Sequence, residues 1–438
     1  MPESILLQQF RSKGALDSVS LEAISTRQTL LAALPKYAAP GPSSASTCYV
    51  WPTDDCSVGC AHCNFASPRS STAFDRYRIA DDVDRALELV SGMGLWKAVL
   101  SGGGEPMQEP AFCERFISGV DSPQLEEIEL ITSAAFATSA AEATRVLRNL
   151  QSAWHTRGAD KAKAGFTVRL SVDWFHTKRI GITPPADVLR ALNSPEFADI
   201  GCYLRSVLLD NDATIRDLAT ELGATLGAIE DYRQTMTLPN GREILVYYKN
   251  LILDGRMTSR RLRSLPVTLP KAAKAEVFGQ RFQSPAGTHV PARVYNGPEV
   301  VHLDGLACVL EASGGIKILE GNHPHRFPSL RDTTSWADAV EFLYRDPLTV
   351  ALVRGGPDGL VDLIADRYPH VRDASATTNQ LYYLSDQILD DPVLALLATV
   401  RAVEDHVRSE ELPPRAADPA RRAHTVWERL HARRAAAR

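Results

Sequence analysis

Several features that would assign the chain to a class at once are missing from its sequence. The 438 residues contain no apolar run of ~18 residues, so we expect no membrane-spanning helix. The 48 Lys and Arg are outnumbered by 53 Asp and Glu, which excludes a general basic field that would hold nucleic acid. The first residues lack the basic and apolar regions of a secretory signal. We therefore expect a cytoplasmic globular protein with neither a membrane nor a nucleic-acid partner.

Cysteine is also scarce. The chain has seven, and this odd count in the absence of a signal argues against a disulfide framework. Three of the seven nevertheless fall within eight residues, at Cys56, Cys60 and Cys63. Random scatter would rarely produce such a cluster, so this segment is the first candidate functional site.

Apolar segments alternate with amphipathic ones between residues 46 and 255, in about six strand–helix units. This alternation predicts an α/β fold with parallel strands joined by helical crossovers. It ends near residue 260, where a mixed, mainly helical pattern begins. We therefore divide the chain into an N-terminal helical segment (1–42), a barrel region (43–258), an extension with a hairpin near 300–319 (259–408) and a loosely attached Arg- and Ala-rich tail (409–438).

The cysteine cluster has a spacing suited to one metal centre. Cys56-x-x-x-Cys60-x-x-Cys63 supplies three thiolates on a short loop and leaves one coordination position open. A structural zinc site normally closes with a fourth ligand, and the sequence offers no second Cys-x-x-Cys pair. His62 adjoins Cys63 and is poorly placed to share its metal. A [4Fe–4S] cluster with one iron free of protein ligands fits better, and a zinc-binding loop stays open as the alternative.

This spacing, directly after a first β-strand, resembles the CxxxCxxC signature of the radical S-adenosylmethionine (SAM) superfamily. The resemblance covers about residues 46–255 and implies a partial (β/α)6 barrel of TIM type, in agreement with the unit count. It also implies a [4Fe–4S] cluster whose fourth iron binds SAM. One electron, from an external reductant such as flavodoxin or ferredoxin, would cleave SAM to methionine and a 5′-deoxyadenosyl radical that takes hydrogen from the substrate.

Polar residues at the ends of the later strands are candidates for binding SAM. Glycine permits close backbone approach, so Gly103 and Gly104, followed by Glu105, suit the SAM amino group, as the resemblance also implies. Ser171 and Asp173 lie two residues apart at the end of a strand and would share a face. Their hydroxyl and carboxylate suit the ribose of SAM, and a helix cap at Asp173 is the alternative.

Further candidates of the same kind lie at another strand end and shortly after Asp173. Thr132 and Ser133 end the intervening strand, where they would face the barrel mouth. Arg179 would pair with the SAM carboxylate, because its guanidinium can bind a carboxylate through two hydrogen bonds. A solvated basic pair with Lys178 is the alternative for Arg179. All these positions fall where barrels of this type assemble their active sites, at the carboxyl ends of the strands.

The substrate should reach the same barrel mouth. His176 follows the Ser171 strand and is a candidate to contact it. Cys202 and Cys308 are candidates to return a hydrogen atom to a substrate radical, and the alternative for each is a buried apolar side chain. On the last barrel strand, Tyr247 and Lys249 form one of two alternating sets, of which one should face inward.

The cysteines outside the cluster limit the type of enzyme. After Cys202 the chain has only Cys308, so ligands for an auxiliary iron–sulfur cluster are not expected. The first hypothesis is therefore a single-cluster radical SAM enzyme acting on a small polar metabolite such as a sugar, aminoglycoside, nucleoside or amino-acid derivative. The outcome would be epimerisation, dehydrogenation, dehydration or rearrangement. The alternatives are a peptide-modifying radical SAM enzyme and a non-catalytic iron–sulfur or zinc-binding protein.

Overall fold

The computed structural model describes most of the chain, with its larger gaps at both ends, at residues 64–77 and within the extension. The described residues are 17–37, 43–63, 78–158, 161, 163–230, 232–249, 251, 264–266, 268, 294–296, 299–301, 305–318, 330, 335–368, 388 and 391–436. None of the helices in these ranges combines the length and the apolar character needed to cross a bilayer.

Strands and helices alternate along the first half of the described residues. The strands are β1 (Ala45–Val50), β2 (Lys97–Leu100), β3 (Glu127–Thr132), β4 (Gly165–Ser171), β5 (Gly201–Val207), β6 (Thr225–Leu226), β7 (Arg233–Thr237), β8 (Glu243–Lys249), β9 (Val294–Asn296), β10 (Glu299–Val301), β11 (Leu306–Leu310) and β12 (Ile316–Ile318). The helices are α1 (Ser18–Ala33), α2 (Val83–Ser91), α3 (Pro110–Gly119), α4 (Ala140–His155), α5 (Trp174–Ile180), α6 (Thr183–Leu192), α7 (Thr214–Leu222), α8 (Trp336–Leu343), α9 (Pro347–Asp362), α10 (Pro392–Arg408) and α11 (Ala417–Ala436).

Ten of the strands form one sheet in the order β12-β11-β1-β2-β3-β4-β5-β8-β7-β6. Within it, β1, β2, β3, β4, β5 and β8 are successive parallel neighbours. Helices cross between these strands, as parallel pairing requires. The α/β fold expected from the sequence, a partial barrel of parallel strands joined by helices, is therefore confirmed.

The two faces of the parallel strands differ in chemistry because successive side chains point to opposite sides. On β4, Phe166, Val168 and Leu170 belong to the large apolar core formed with the helices. The alternate residues of that strand, Arg169 and Ser171 among them, line a cavity on the other face. The apolar face stabilises the sheet against its helices, and the polar face is left for binding.

Local signals explain why the helices begin where they do. Ser139 caps α4 by accepting a hydrogen bond from the backbone N–H of Glu142, at 3.2 Å. Its three-residue spacing from an acidic residue is the pattern typical of a helix start. Helix α2 is short but strongly amphipathic, and it buries Ala86, Leu87 and Val90 against the core.

The sheet departs from the expectation at both edges. Between β5 and β8 the chain inserts β6 and β7, and β7 pairs antiparallel with β8. At the other edge, β11 pairs antiparallel with β12 as the expected hairpin, but it also lies parallel to β1. The segment around 306–310 therefore continues the sheet of the barrel, whereas the sequence pattern places it in the extension. Val301 belongs to a separate pairing of β10 with β9, and residues 302–304 and 319 lie outside the described residues.

The last helix is firmly packed, unlike the loosely attached tail expected from its Arg-rich composition. Helix α11 contacts both α10 and α1, and its Trp427 and Leu430 are buried. The arginines lie on its outer side, where Arg433 pairs with Glu22 of α1 at 3.0 Å. Few apolar residues lie along α11 in the sequence. Its contacts with α10 and α1 show that these few residues form a packing face.

Candidate active site

The cysteine loop begins a few residues after β1 and opens on a single cavity. Cys56, Cys60 and Cys63 all line this cavity, whose volume is about 440 Å³. All three thiols are free, and the backbone N–H of Cys63 donates to the carbonyl of Cys60 at 3.2 Å. Burial raises the pKa of the Cys60 thiol, and the neighbouring charges of Asp173, Cys56 and Cys63 raise it further. The three thiols that line this one cavity form a donor set that suits a metal centre.

Helix α5 supports the loop from one side. The ring of His62 stacks on Phe175, with 4.4 Å between centroids and 29° between planes. Val58 and Cys60 join Phe175 in a small apolar cluster beside the cavity. Arg179 donates from Nε to the carbonyl oxygen of Val58 at 2.9 Å. The expected pairing partner of the SAM carboxylate thus binds the backbone of the cysteine loop, and it is not among the residues that line the cavity.

The glycines after β2 lie directly against the segment that leads into the cysteine loop. The backbone N–H of Gly104 donates to Thr53 at 3.0 Å, and that of Glu105 donates to Asp55 at 2.9 Å. A Cβ atom on Gly104 would collide with the carbonyl oxygen of Asp55. Close backbone approach therefore requires glycine here, as the sequence predicted, and it sets the Gly103–Glu105 turn beside the cysteines.

Glu105 is bound by the end of the neighbouring strand. Its carboxylate accepts hydrogen bonds from the Thr132 hydroxyl at 2.6 Å, the Ser133 hydroxyl at 2.6 Å and the Ser133 backbone N–H at 2.9 Å. The side chain is buried, and all three residues line the cavity. The structure thus brings together Glu105, Thr132 and Ser133, and the two hydroxyls of β3 orient the carboxylate.

Asp173 has a different role from Ser171. Ser171 lines the cavity, as expected for a residue that could contact ribose. Asp173 caps α5, because its Oδ1 accepts from the backbone N–H groups of Phe175 at 2.9 Å and His176 at 3.1 Å. Its Oδ2 lies 2.9 Å from His176 Nδ1 and 3.7 Å from His62 Nε2. The structure therefore shows the helix cap that the sequence left as the alternative, with the carboxylate turned toward two imidazoles.

Both imidazoles face the cavity. His62 and His176 line it, and their donor atoms lie within 4.8 Å of one another and of the Asp173 carboxylate. Burial lowers the pKa of His62 to about 3, although the charge of Asp173 opposes this shift. Burial alone would raise the pKa of Asp173, but the two histidines hold it below its usual range. At neutral pH the trio therefore presents an ionised carboxylate and a neutral His62.

The two cysteines expected as hydrogen donors lie on the opposite face of the sheet. Cys308 pairs in register with Cys48, and both are fully buried in the apolar core. Cys202 pairs with Val168 and packs against the same core. Burial raises the pKa of Cys202 to about 12. The structure does not bring either thiol to the cavity, and it shows the apolar packing role that the sequence left as the alternative.

Two further cavity residues are basic: Arg169 was not among the candidates expected from the sequence, and Lys249 was named only within one of two alternating sets on the last barrel strand. Arg169 precedes Ser171 by two positions on β4, and Lys249 ends β8. Both line the cavity. The alternation of β8 shows that Tyr247 and Lys249 form the inward set. Arg169 could have been found by the same reasoning, since it shares a strand face with Ser171.

No family model matches the chain, and no curated protein matches it either. It is similar to a structure described as native anSMEcpe with bound AdoMet and Kp18Cys peptide, at 11% identity and a TM-score of 0.36, over 76% of this chain and 99% of that one. A second structure, native anSMEcpe with bound AdoMet and Cp18Cys peptide, is 13% identical with a TM-score of 0.39, over 82% of this chain and 99% of that one.

Proposed function

We propose that this chain is a radical SAM enzyme that holds a [4Fe–4S] cluster on Cys56, Cys60 and Cys63. The observation that carries this proposal is the meeting of those cysteines with Glu105 and Ser171 in one cavity at the carboxyl ends of parallel strands. Three thiolates fit a cluster that keeps one iron free of protein ligands. When bound, the cluster and SAM supply reductive cleavage of SAM and abstraction of a hydrogen atom from the substrate.

The residues around the cysteines suit the parts of SAM. The carboxylate of Glu105, held by Thr132 and Ser133, places a negative charge where it suits the ammonium group. The Ser171 hydroxyl and the imidazole of His176 line the wall formed by β4 and α5, where they suit ribose hydroxyls. These side chains bind and orient the cofactor, and the electron would come from an external reductant such as flavodoxin or ferredoxin.

A substrate of small polar type fits the polar inner face of the barrel, and the radical chemistry would epimerise, dehydrogenate, dehydrate or rearrange it. A peptide substrate is the second candidate. The observation that favours it is that the two similar structures hold a peptide together with AdoMet. Binding and deuterium transfer separate the two classes, because only the true substrate will deliver its label into 5′-deoxyadenosine.

Anaerobic reconstitution tests the cluster directly. We expect about four iron and four sulfide per chain, and loss of both in Cys60→Ser. Cys202→Ser is the matched control, because Cys202 packs against the apolar core on the face of the sheet away from the cavity. This variant should keep the full iron content. One zinc per chain without sulfide would instead establish the zinc-binding alternative.

The catalytic half of the proposal needs a second measurement. With SAM and dithionite, the reconstituted protein should release 5′-deoxyadenosine, and Glu105→Gln should slow this release. A fully reconstituted protein that never cleaves SAM would contradict enzyme function while leaving the cluster assignment intact.

A further inference from the structure

Three side chains beside the cysteine loop bring metal-binding atoms together. They are the imidazole of His62, the carboxylate of Asp173 and the imidazole of His176, which we call the His–Asp–His trio. One donor atom of each residue lies within 4.8 Å of the donor atoms of the other two. His62 and Asp173 are buried, His176 is largely buried, and both rings line the cavity.

The separations between these donor atoms fit a single ion. Oδ2 of Asp173 lies 2.9 Å from Nδ1 of His176 and 3.7 Å from Nε2 of His62. Nitrogen and oxygen ligands lie about 2.0–2.2 Å from a zinc ion, so two ligands of one ion can be at most about 4.4 Å apart. Both distances from the carboxylate satisfy this limit. The two ring nitrogens are within 4.8 Å of each other, so a small rotation of either imidazole is enough to complete the set.

A simple hydrogen bond does not account for the contact between Asp173 and His176. Nδ1 of His176 is buried and has no hydrogen-bond partner among the described residues, although Oδ2 is only 2.9 Å away. The oxygen therefore lies off the direction in which this nitrogen would donate. The exposed pair of His155 and Asp199 shows the ordinary arrangement, in which Nε2 and Oδ2 form a hydrogen bond at 2.7 Å. Two ligands of one ion lie side by side at such a distance, with their lone pairs aimed at the ion and not at each other.

Other contacts hold the trio in place. Oδ1 of Asp173 accepts from the backbone N–H groups of Phe175 and His176, which leaves Oδ2 for an ion. The ring of His62 is stacked on Phe175 at 4.4 Å. Carboxylates and imidazoles that bind metals are typically oriented by secondary contacts of this kind.

The charges around the cavity act in both directions. Lys249 opposes a cation at the trio, because its ammonium is close enough to act on both His62 and Asp173. Glu105 and the three cysteine sulfurs line the same cavity and favour a cation. Charge alone therefore does not decide whether an ion binds, whereas the donor set and its spacing favour binding.

We propose that His62, Asp173 and His176 bind a divalent transition-metal ion, Fe²⁺ or Zn²⁺, beside the cysteine loop. Two imidazoles and one carboxylate are a ligand set that both ions accept. Three protein ligands leave coordination positions open, and these face the cavity because both rings line it. A hydroxyl or carboxylate of a substrate would bind there and be polarised by the ion. The site uses none of the cysteine thiolates, so it goes beyond the proposed function.

Metal binding by the cluster-loaded protein tests this proposal. After anaerobic reconstitution and desalting, the protein is titrated with Zn²⁺ and, separately, with Fe²⁺, and bound metal is counted after gel filtration. We expect a single ion per chain beyond the cluster iron, with the sulfide content unchanged. Asp173→Asn and His176→Gln should each weaken this binding at least about tenfold, because each removes one ligand. The ion that binds more tightly identifies the metal that the trio prefers.

His155→Gln is the matched control, because His155 also lies beside an aspartate, but no third ligand joins that pair among the described residues. This variant should bind the extra ion as the parent does. Co²⁺ in place of Zn²⁺ identifies the ligands, since nitrogen and oxygen donors give weak visible bands and thiolates add intense near-ultraviolet absorption. Equal sulfide content in all variants shows that no substitution acts by loss of the cluster or of the fold.

Three results would overturn the proposal. They are absence of any ion beyond the cluster iron in the parent, undiminished binding in both Asp173→Asn and His176→Gln, and a thiolate spectrum with Co²⁺. A chain that takes up no sulfide would instead contradict the proposed cluster. In that case a zinc ion that persists in Cys60→Ser and is lost in His176→Gln would still belong to the trio, whereas one lost only in Cys60→Ser would belong to the cysteine loop.

Discussion

The two carboxylate oxygens of Asp173 make different contacts. Oδ1 caps α5, and Oδ2 lies 2.9 Å from Nδ1 of His176. The cap fixes where the helix starts, and the second oxygen fixes the orientation of the imidazole that faces the cavity. A neutral amide at this position can still cap the helix, because Asn and Asp are about equally good caps. It cannot supply the negatively charged oxygen that lies 2.9 Å from Nδ1 of His176.

Asp173→Asn should therefore weaken the fold without removing α5. We expect a loss of about 1–3 kcal/mol in the free energy of unfolding at pH 7, measured by urea denaturation. Asp17→Asn is the matched control, because Asp17 caps α1 on the surface, and it should cost only a few tenths of a kcal/mol. Because the pKa of Asp173 is lowered in the folded state, its stabilisation should persist above about pH 4 and fade below it. Equal losses in the two variants would contradict this account.

The Thr132 hydroxyl, 2.6 Å from the carboxylate of Glu105, predicts a coupling between two strand ends. Thr132→Val keeps the side-chain shape but removes one donor from a buried carboxylate. We expect the dissociation constant for SAM to rise about tenfold in the reconstituted protein, since a lost hydrogen bond to a charged group costs about 1.5–3 kcal/mol. Thr235→Val, on β7 away from the cavity, should leave SAM affinity unchanged. Combining Thr132→Val with Glu105→Gln should add little to Glu105→Gln alone, and full additivity would show that the two residues act separately.

The alternation of the sequence was enough to predict six of the parallel strands, because each has an apolar face that meets the helices. Spacing was enough to predict the cysteine loop, because all three sulfurs come from one short segment. Thr132, Ser133 and Glu105 were predicted one by one from strand ends. The hydrogen bonds among them could not be predicted, because those bonds depend on how far each strand end extends relative to its neighbour.

Other features depend on contacts that no local pattern records. Strand β11 lies beside β1, although most of the chain separates them, and its fully buried apolar run fits several partners equally well. Asp173 follows the end of β4 and precedes a helix, so strand alternation and helix capping were both consistent with it. Cys202 and Cys308 were expected to be hydrogen-atom donors only because a thiol can donate a hydrogen atom. Their register partners, Val168 and Cys48, show that they lie on the core face.

Arg179 predicts how firmly the cysteine loop is held. Its Nε donates to the carbonyl of Val58, between the first two cysteines. Arg179→Met removes this donor, and we expect iron release to a chelator from the reconstituted protein to be several times faster. The adjacent Lys178→Met is the control, because Lys178 is equally exposed and has no contact with the loop among the described residues. If both variants lose iron at the parental rate, the hydrogen bond does not stabilise the loop.

His406 on α10 predicts how stability changes with pH far from the cysteine loop. The Tyr37 hydroxyl lies 2.7 Å from its Nδ1, and burial, with the charge of Arg354, lowers its pKa to about 4. The unfolded chain binds this proton near pH 6.5, so between about pH 4 and 6.5 the unfolded state holds more protons than the folded one. Stability should therefore rise with pH through that window, by up to about 1.4 kcal/mol per pH unit from this residue. His406→Gln should flatten the rise measured by urea denaturation, whereas His155→Gln, which replaces an exposed ring on α4, should leave it in place. An unchanged slope in His406→Gln would show that this imidazole is already protonated in the folded protein.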